Sequence, residues 1–173
     1  MIIVGKNNNA GGEEQLVVFT LANETYGVDI STVNEIIRMQ EITEVPRTPD
    51  FVEGVINLRG RIVPVIDLRK RFNLETSEET QSSRIIVVEL NDITVGMIVD
   101  SVSEVLRLPK ENTEPTPPMV SGVDSAYLKG VGKWGEQLII LLDINKVLYK
   151  EEQEQIARTA EEMAAMAEDN GDE

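Results

Sequence analysis

Two aspartates sit in matched settings: Asp67 in "RIVPVIDLRK" and Asp143 in "EQLIILLDINK". A carboxylate pair facing across a cleft could divide acid and base work. Each aspartate also precedes a short basic, apolar stretch, where its oxygen can N-cap a helix and its charge can meet the helix dipole. Capping is the simpler role, because symmetric settings give like environments while an acid and a base need different ones. The run "KGVGKWGE" (129–136) clusters glycines as a phosphate loop would, but it lacks the spacing G-x-x-x-x-G-K-[ST] and no long helix follows it. It reads as a strand and hairpin with glycines at the turns. Arg59, in "NLRGR", is the remaining candidate. Its planar fork of donors suits a carboxylate or carbonyl partner, and the plain alternative is a solvated turn arginine.

Composition narrows the chemistry further. The 173 residues contain no Cys and no His. Thiol nucleophiles, disulfides, Cys/His metal sites, imidazole acid–base catalysis and a phospho-accepting histidine are therefore excluded. Carboxylate, Ser, Thr, Tyr and Lys chemistry remains possible, and no metal or cofactor is expected. The net charge is −15, which repels phosphate backbones and anionic lipid, so nucleic acid and membrane are poor partners. Hydrophobic residues make up 41% and aromatics only 4%, so the core must be built from Val, Ile and Leu. "MIIVGKNNN" has an apolar start too short for a secretory signal, and no window approaches the roughly 18 apolar residues of a membrane span. A soluble protein is expected, and the lack of Cys is compatible with the cytoplasm.

The elements that must position these residues come from an internal repeat. "LVVFTLANETYGVDISTVNEIIRM" (16–39) aligns without a gap on "IIVVELNDITVGMIVDSVSEVLRL" (85–108), placing Gly27 on Gly96, Glu35 on Glu104 and Arg38 on Arg107. "GVINLRGRIVPVIDLRK" (54–70) aligns on "GVGKWGEQLIILLDINK" (130–146) at a longer offset, with Gly54 on Gly130 and Asp67 on Asp143. The Pro-rich run "PKENTEPTPPMVSG" (109–122) is the place for the extra residues. A period of about 70 residues is too long for a solenoid and reads as two homologous lobes. Each unit offers a strand, a turn ("ANET", "NDIT"), a second strand, a helical turn capped by Ser31 or Asp100 and pinned by Val33 or Val102, and two further strands. Short strands with few helices and no βαβ rhythm predict two small antiparallel barrels with a cleft between them. Pro64 suggests an edge or a bulge.

The expected organisation is a domain over 14–150, with lobe one about 14–72, a polar connector at 73–83 and lobe two about 84–150. The repeat leaves open whether a strand from one lobe completes the other barrel. Residues 1–13 read as a flexible arm and 151–173 as an acidic helix and tail. Ile156, Ala160, Met163, Ala164 and Ala167 form a stripe at helical spacing, and the helix is expected to dock weakly or fray before a disordered end. Arg59 falls on Gly135 or its neighbour Trp134, so it breaks the symmetry of the repeat, and a residue that duplication did not require is the better functional candidate. Val33, Ile36, Val102 and Val105 lie on the paired helical segments. Any that face outward would offer a partner about 1.5–3 kcal/mol of apolar anchoring each, with core packing as the alternative.

"ETYGVDISTVNEIIR", "VPRTPDFVEGVINLRGRIVPVIDLRKRF", "VGMIVDSVSEVLRL" and "YLKGVGKWGEQLIILLDINKVL" resemble the CheW-type bacterial chemotaxis coupling proteins, over about residues 14 to 150. The resemblance implies a mainly β fold of two five-stranded SH3-like barrels around a common core, with short helical turns and one C-terminal helix. It implies a non-catalytic cytoplasmic adaptor, recruited to receptor arrays at the inner face of the membrane. Its partners would be the cytoplasmic tip of methyl-accepting receptors and the regulatory domain of the CheA-type histidine kinase. The resemblance places receptor coupling on Arg59 and Gly54, and on Ile30, Val33, Glu35 and Ile36. It places Val102 and Val105 near partner surfaces and says nothing of the arm or the tail. Three other readings stay open. One is the same fold as a kinase regulatory domain or fused to a receiver, although no receiver pattern accompanies it. A second is an enzyme using Asp67 and Asp143. A third is a two-barrel peptide-binding module outside chemotaxis.

Overall fold

The computed structural model describes residues 2–3, 12–115 and 124–171, with side chains over 12–115 and 124–166. Two tight hairpins repeat each other. β2 (Glu13–Leu21) and β3 (Glu24–Asp29) join at Ala22 and Asn23, with φ of 50° and 68°. β7 (Arg84–Leu90) and β8 (Ile93–Val99) join at Asn91 and Asp92, with φ of 47° and 72°. Two successive left-handed residues make a turn whose twist matches that of the strands. β2 and β7 read as near-continuous apolar runs because both of their faces are covered. Leu16 and Val18 face one cluster of buried residues, while Val17, Phe19 and Leu21 face another.

The other long strands are β4 (Val33–Arg38), β5 (Val52–Leu58), β6 (Arg61–Asp67), β9 (Ser101–Pro109), β11 (Leu128–Trp134) and β12 (Gln137–Leu142). β1 (Ile2–Ile3) and β10 (Thr113–Glu114) are two-residue strands. One sheet has the order β1-β4-β7-β8-β6-β5 and the other β10-β11-β12-β3-β2-β9. Each therefore holds five long strands and a two-residue one. The sequence suggested antiparallel barrels, but each sheet contains one parallel pair. β6 runs parallel to β8, with Val65 opposite Gly96, and β12 runs parallel to β3, with Leu141 opposite Gly27. These two contacts are equivalent under the repeat. The first hairpin of each unit thus completes the sheet of the other unit, and the sheets do not coincide with the halves of the chain.

Three apolar clusters follow from this arrangement. Leu16, Val18, Leu106, Leu108, Ile139 and Leu141 fill one barrel. Their repeat counterparts Ile85, Val87, Ile37, Val63 and Val65, with Ile56, fill the other. Between the barrels lies the largest cluster, which includes Phe19, Tyr26, Val28, Val33, Ile66, Leu68, Val88 and Met97.

Several local expectations are corrected. The helical turn of the first unit is a 3-10 turn at Ile30–Thr32, capped by Asp29, whose carboxylate accepts from the Ser31 N–H at 2.9 Å. Ser31 is not the cap. Val33 to Arg38 pairs with β7 as a strand, the state that its β-branched residues favour. The second unit has no such turn, and β9 starts directly at Ser101. Asp100 instead accepts from the Ala22 N–H and from Arg69 Nε, each at 2.9 Å. Pro64 lies in an interior strand, one residue before the pairing of β6 with β8 begins at Val65. Ile2 and Ile3, expected in a flexible arm, pair with Ile36 and Glu35, and Glu13 begins β2.

Asp67 caps α1 (Leu68–Arg71) by accepting from the Arg69 N–H at 2.9 Å, and Asp143 caps the 3-10 turn Ile144–Lys146 by accepting from the Asn145 N–H at 3.1 Å. Burial nevertheless pushes the Asp67 carboxyl up, outweighing the backbone bonds that pull it down. Burial also raises Asp100, but there the Arg69 bond and the Ala22 N–H prevail and the carboxyl ends below its usual range.

α2 (Lys150–Gly171) packs on β6. Its first turns dock firmly rather than weakly: Ile156 is buried in the shared core, and Ala160, Met163 and Ala164 are half-buried. Arg71 anchors it. Its guanidinium donates to the Val147 carbonyl at 2.6 Å and to both Glu152 oxygens at 2.8 and 3.1 Å, with the rings of Phe51, Tyr127 and Tyr149 4.7 to 5.2 Å away. The expected disordered end and Ala167 lie outside the described side chains.

Candidate functional site

The β5–β6 hairpin turns at Arg59 and Gly60, with φ of 54° and 85°. Asn, Asp or Gly usually fills the first position of such a turn. Here an arginine takes the left-handed conformation, and its guanidinium donates to Oε1 of Glu35 on β4. The Gly60 N–H donates to Asn57 Oδ1 at 2.8 Å and closes the turn. The Glu35 side chain is 6% exposed and the Arg59 side chain 59%, so a surface cation sits over a buried carboxylate. The hydrogen bond from Arg59 to Glu35 raises the arginine pKa above its already high value.

Beside the pair lies a groove of about 390 Å3. Leu58, Val63 and Val87 supply aliphatic lining, and Asn34, Arg61 and Thr94 supply polar groups. Arg61 donates to Thr94 Oγ1 at 2.6 Å, and Thr94 Oγ1 donates to Glu89 Oε1 at 2.7 Å. Asn34 Nδ2 donates to the same Glu89 oxygen at 2.8 Å. Strands β4, β6, β7 and β8 therefore converge on one hydrogen-bonded wall. A larger groove of about 900 Å3 runs beside α2 and contains Leu148, Tyr149 and Ala157, but none of the residues singled out in the sequence.

The structure brings Glu35 and Arg59 together. Gly54 lies on the same hairpin, where its φ is +146° and a Cβ would come within 2.1 Å of the Thr43 carbonyl oxygen. Its place is fixed by the segment crossing β5, which it bonds through Val55 and Thr43 at 2.9 Å in both directions. Ile30, Val33 and Ile36 are buried in the shared core, so they set the position of Glu35 and Asn34 from beneath. Val102 is partly buried against that core, and Val105 is exposed on β9. Asp67 and Asp143 are committed to caps. Asn34, Glu89, Arg61 and Thr94 were not singled out in the sequence. Only Arg61 carried a signal, as the second arginine of "NLRGR".

Comparison with known proteins agrees with this architecture. The CheW-like domain family matches residues 15–152. The chain belongs to that family. Among its CheW relatives, the chemotaxis protein CheW of Klebsiella aerogenes is 42% identical over 139 residues, covering 80% of this chain and 84% of that protein. CheW of Bacillus subtilis is 37% identical over 138 residues, covering 80% and 88%. The crystal structure of the scaffolding protein TtCheW from Thermoanaerobacter tengcongensis superposes with a TM-score of 0.75 at 41% identity, covering 80% of this chain and 94% of that one. As a CheW-like fold, the chain has two SH3-like barrels, and the groove with its Glu35–Arg59 pair lies on the barrel formed by β4 to β8.

Proposed function

We propose that this CheW-like chain is a non-catalytic adaptor that couples methyl-accepting chemotaxis receptors to a CheA-type histidine kinase and controls kinase activity. Its work would be done at the inner face of the membrane, held there by partners. No helix among the described residues is long and apolar enough to cross a bilayer. The receptor tip is taken as a helical hairpin that lays one face against the β5–β6 tip and β4, a helix-in-groove mode. The observation that carries the reading is the Glu35–Arg59 pair: a charged fork fixed at an exposed hairpin tip by a buried carboxylate, on the residues to which receptor coupling is assigned by resemblance. Holding the guanidinium from below removes part of the side-chain entropy that a partner would otherwise have to freeze. Exposed Val105 supports a second contact on the other barrel. Single contacts of micromolar strength, about −8 kcal/mol each, combine through avidity in an array.

The test is phosphate incorporation by a CheA-type kinase with soluble receptor signalling fragments. It is run without this chain, with it, and with Arg59→Ala of verified fold. Strong activation that needs the chain and falls with the variant is expected. No activation, where a known adaptor activates the same mixture, would leave a two-barrel peptide-binding module outside chemotaxis.

A further inference from the structure

Glu35 keeps one carboxylate oxygen unmatched. Oε1 accepts from Arg59, while Oε2 is buried and has no hydrogen-bond partner among the described residues. The residue lines the 390 Å3 groove. Buried polar atoms are almost always paired, so an orphan on a residue that lines a cavity calls for a partner. Glu89 does not present the same opening: its Oε1 accepts from Asn34 and Thr94, and among the described residues neither of its oxygens is buried without a partner. Arg61 spends one N–H on Thr94 and carries others.

Among the described residues the formal charges of the groove and its wall cancel, Glu35 and Glu89 against Arg59 and Arg61. A third cation would have no counter-charge, and a carboxylate would face Glu35. A neutral group with both a donor and an acceptor meets neither cost. A hydroxyl puts both roles on one oxygen. A carboxamide separates them, which suits an acceptor on β4 and a donor on β6. Leu58, Val63 and Val87 give its methylene groups an aliphatic lining.

We infer that this groove takes one primary carboxamide side chain, Asn or Gln, from the receptor helix, its NH2 donating to Glu35 Oε2 and its carbonyl accepting from Arg61. The inference rests on the adaptor reading and adds the chemistry of the group recognised.

The experiment titrates the full chain with a soluble receptor-tip fragment by calorimetry. Each Asn and Gln of the fragment is changed in turn to its isosteric acid. At one position, the change weakens binding to the unaltered chain about tenfold, because a carboxylate then meets a carboxylate. Glu35→Gln in the chain restores binding of that one fragment variant to within about threefold, since an amide can now donate to the new acid. Equal losses with both chains at every position overturn the inference. A second cycle, pairing the same fragment variants with Arg61→Gln, covers the case in which Glu35→Gln does not fold. Coupling of about threefold or more at one position is expected, and additivity at all of them overturns the inference. A fragment that binds, is lost with Arg59→Ala and shows no coupling sinks the carboxamide alone. A fragment that never binds overturns the adaptor reading with it.

Discussion

The β5–β6 tip and the β11–β12 tip are the same place in the two units, and they carry opposite surfaces. At the first, Arg59 holds buried Glu35 and a polar groove opens beside them. At the second, the counterpart of Arg59 is Gly135, which has no side chain to pair, and the counterpart of Glu35 is Glu104, which is exposed. Trp134 and Leu138 stand out in solvent there instead. The backbone beneath is shared: Gly54 and Gly130 both bring a strand hard against a crossing carbonyl, that of Thr43 in one unit and Glu114 in the other. Duplication supplied the frame twice. An arginine at one turn, together with burial of the facing glutamate, gives one end a charged surface that the other lacks.

That contrast can be broken at several levels. The largest effect belongs to Gly54→Ala, which adds a Cβ 2.1 Å from a backbone oxygen at a φ reserved for glycine. It should cost about 3 kcal/mol or more, while Gly130→Ala, at 2.6 Å and without the positive φ, should cost about 1–2. Urea denaturation of both compares them, and equal losses would make the two crossings equivalent after all. Arg71→Ala should cost about 3 kcal/mol, since it strands Glu152 and empties an aromatic cage, and it should loosen α2 in helical circular dichroism. Val147, its repeat counterpart, offers only a carbonyl to the same contact. A full helical signal in the variant would place the anchor elsewhere.

Glu35→Ala should weaken receptor-fragment binding about tenfold, whereas Glu104→Ala should stay within about twofold, both read by calorimetry. Similar effects at both sites would erase the functional asymmetry. The smallest effect is Tyr26→Phe, where the counterpart Val95 is already apolar. The Tyr26 hydroxyl is buried without a partner, and burial with nearby Glu24 pushes its pKa up to about 12. Removing it should stabilise the fold by about 1 kcal/mol. The unfolded phenol ionises near pH 10 and the folded one only near 12, so native stability falls as pH rises through that window. Thermal melts between pH 9 and about 12 should show a shallower decline in the phenylalanine variant.

Much of this frame was legible because duplication wrote it twice. Gly27 over Gly96 and Asp67 over Asp143 located the paired strands and the two caps. The repeat could not show which sheet each first hairpin joins, since either choice keeps the symmetry. "DISTVNEI" looked like a capped helical turn because it has serine and threonine at cap spacing. The turn stops at Thr32 because the β-branched run after it gains a full ladder with β7. Arg59 stood out by breaking the repeat, but its carboxylate partner lies on a different strand. Thr94 was invisible for the opposite reason: its counterpart is Thr25, so the pattern gave no hint that only one of them joins a relay. Arg71 sat in the short basic stretch behind the Asp67 cap, and only the fold reveals three rings around it.

The exchange of hairpins has a consequence for how such a chain could arise. Residues of either half alone would leave β6 or β12 without its parallel neighbour, and a face of the shared core open to water. A single ancestral unit would satisfy both by trading hairpins with a second copy, as a twofold dimer. Joining such copies end to end would turn an association that depends on concentration into a covalent one. It would also free the two ends to differ, since a mutation in a dimer changes both at once, while here Arg59 and Gly135 are separate positions.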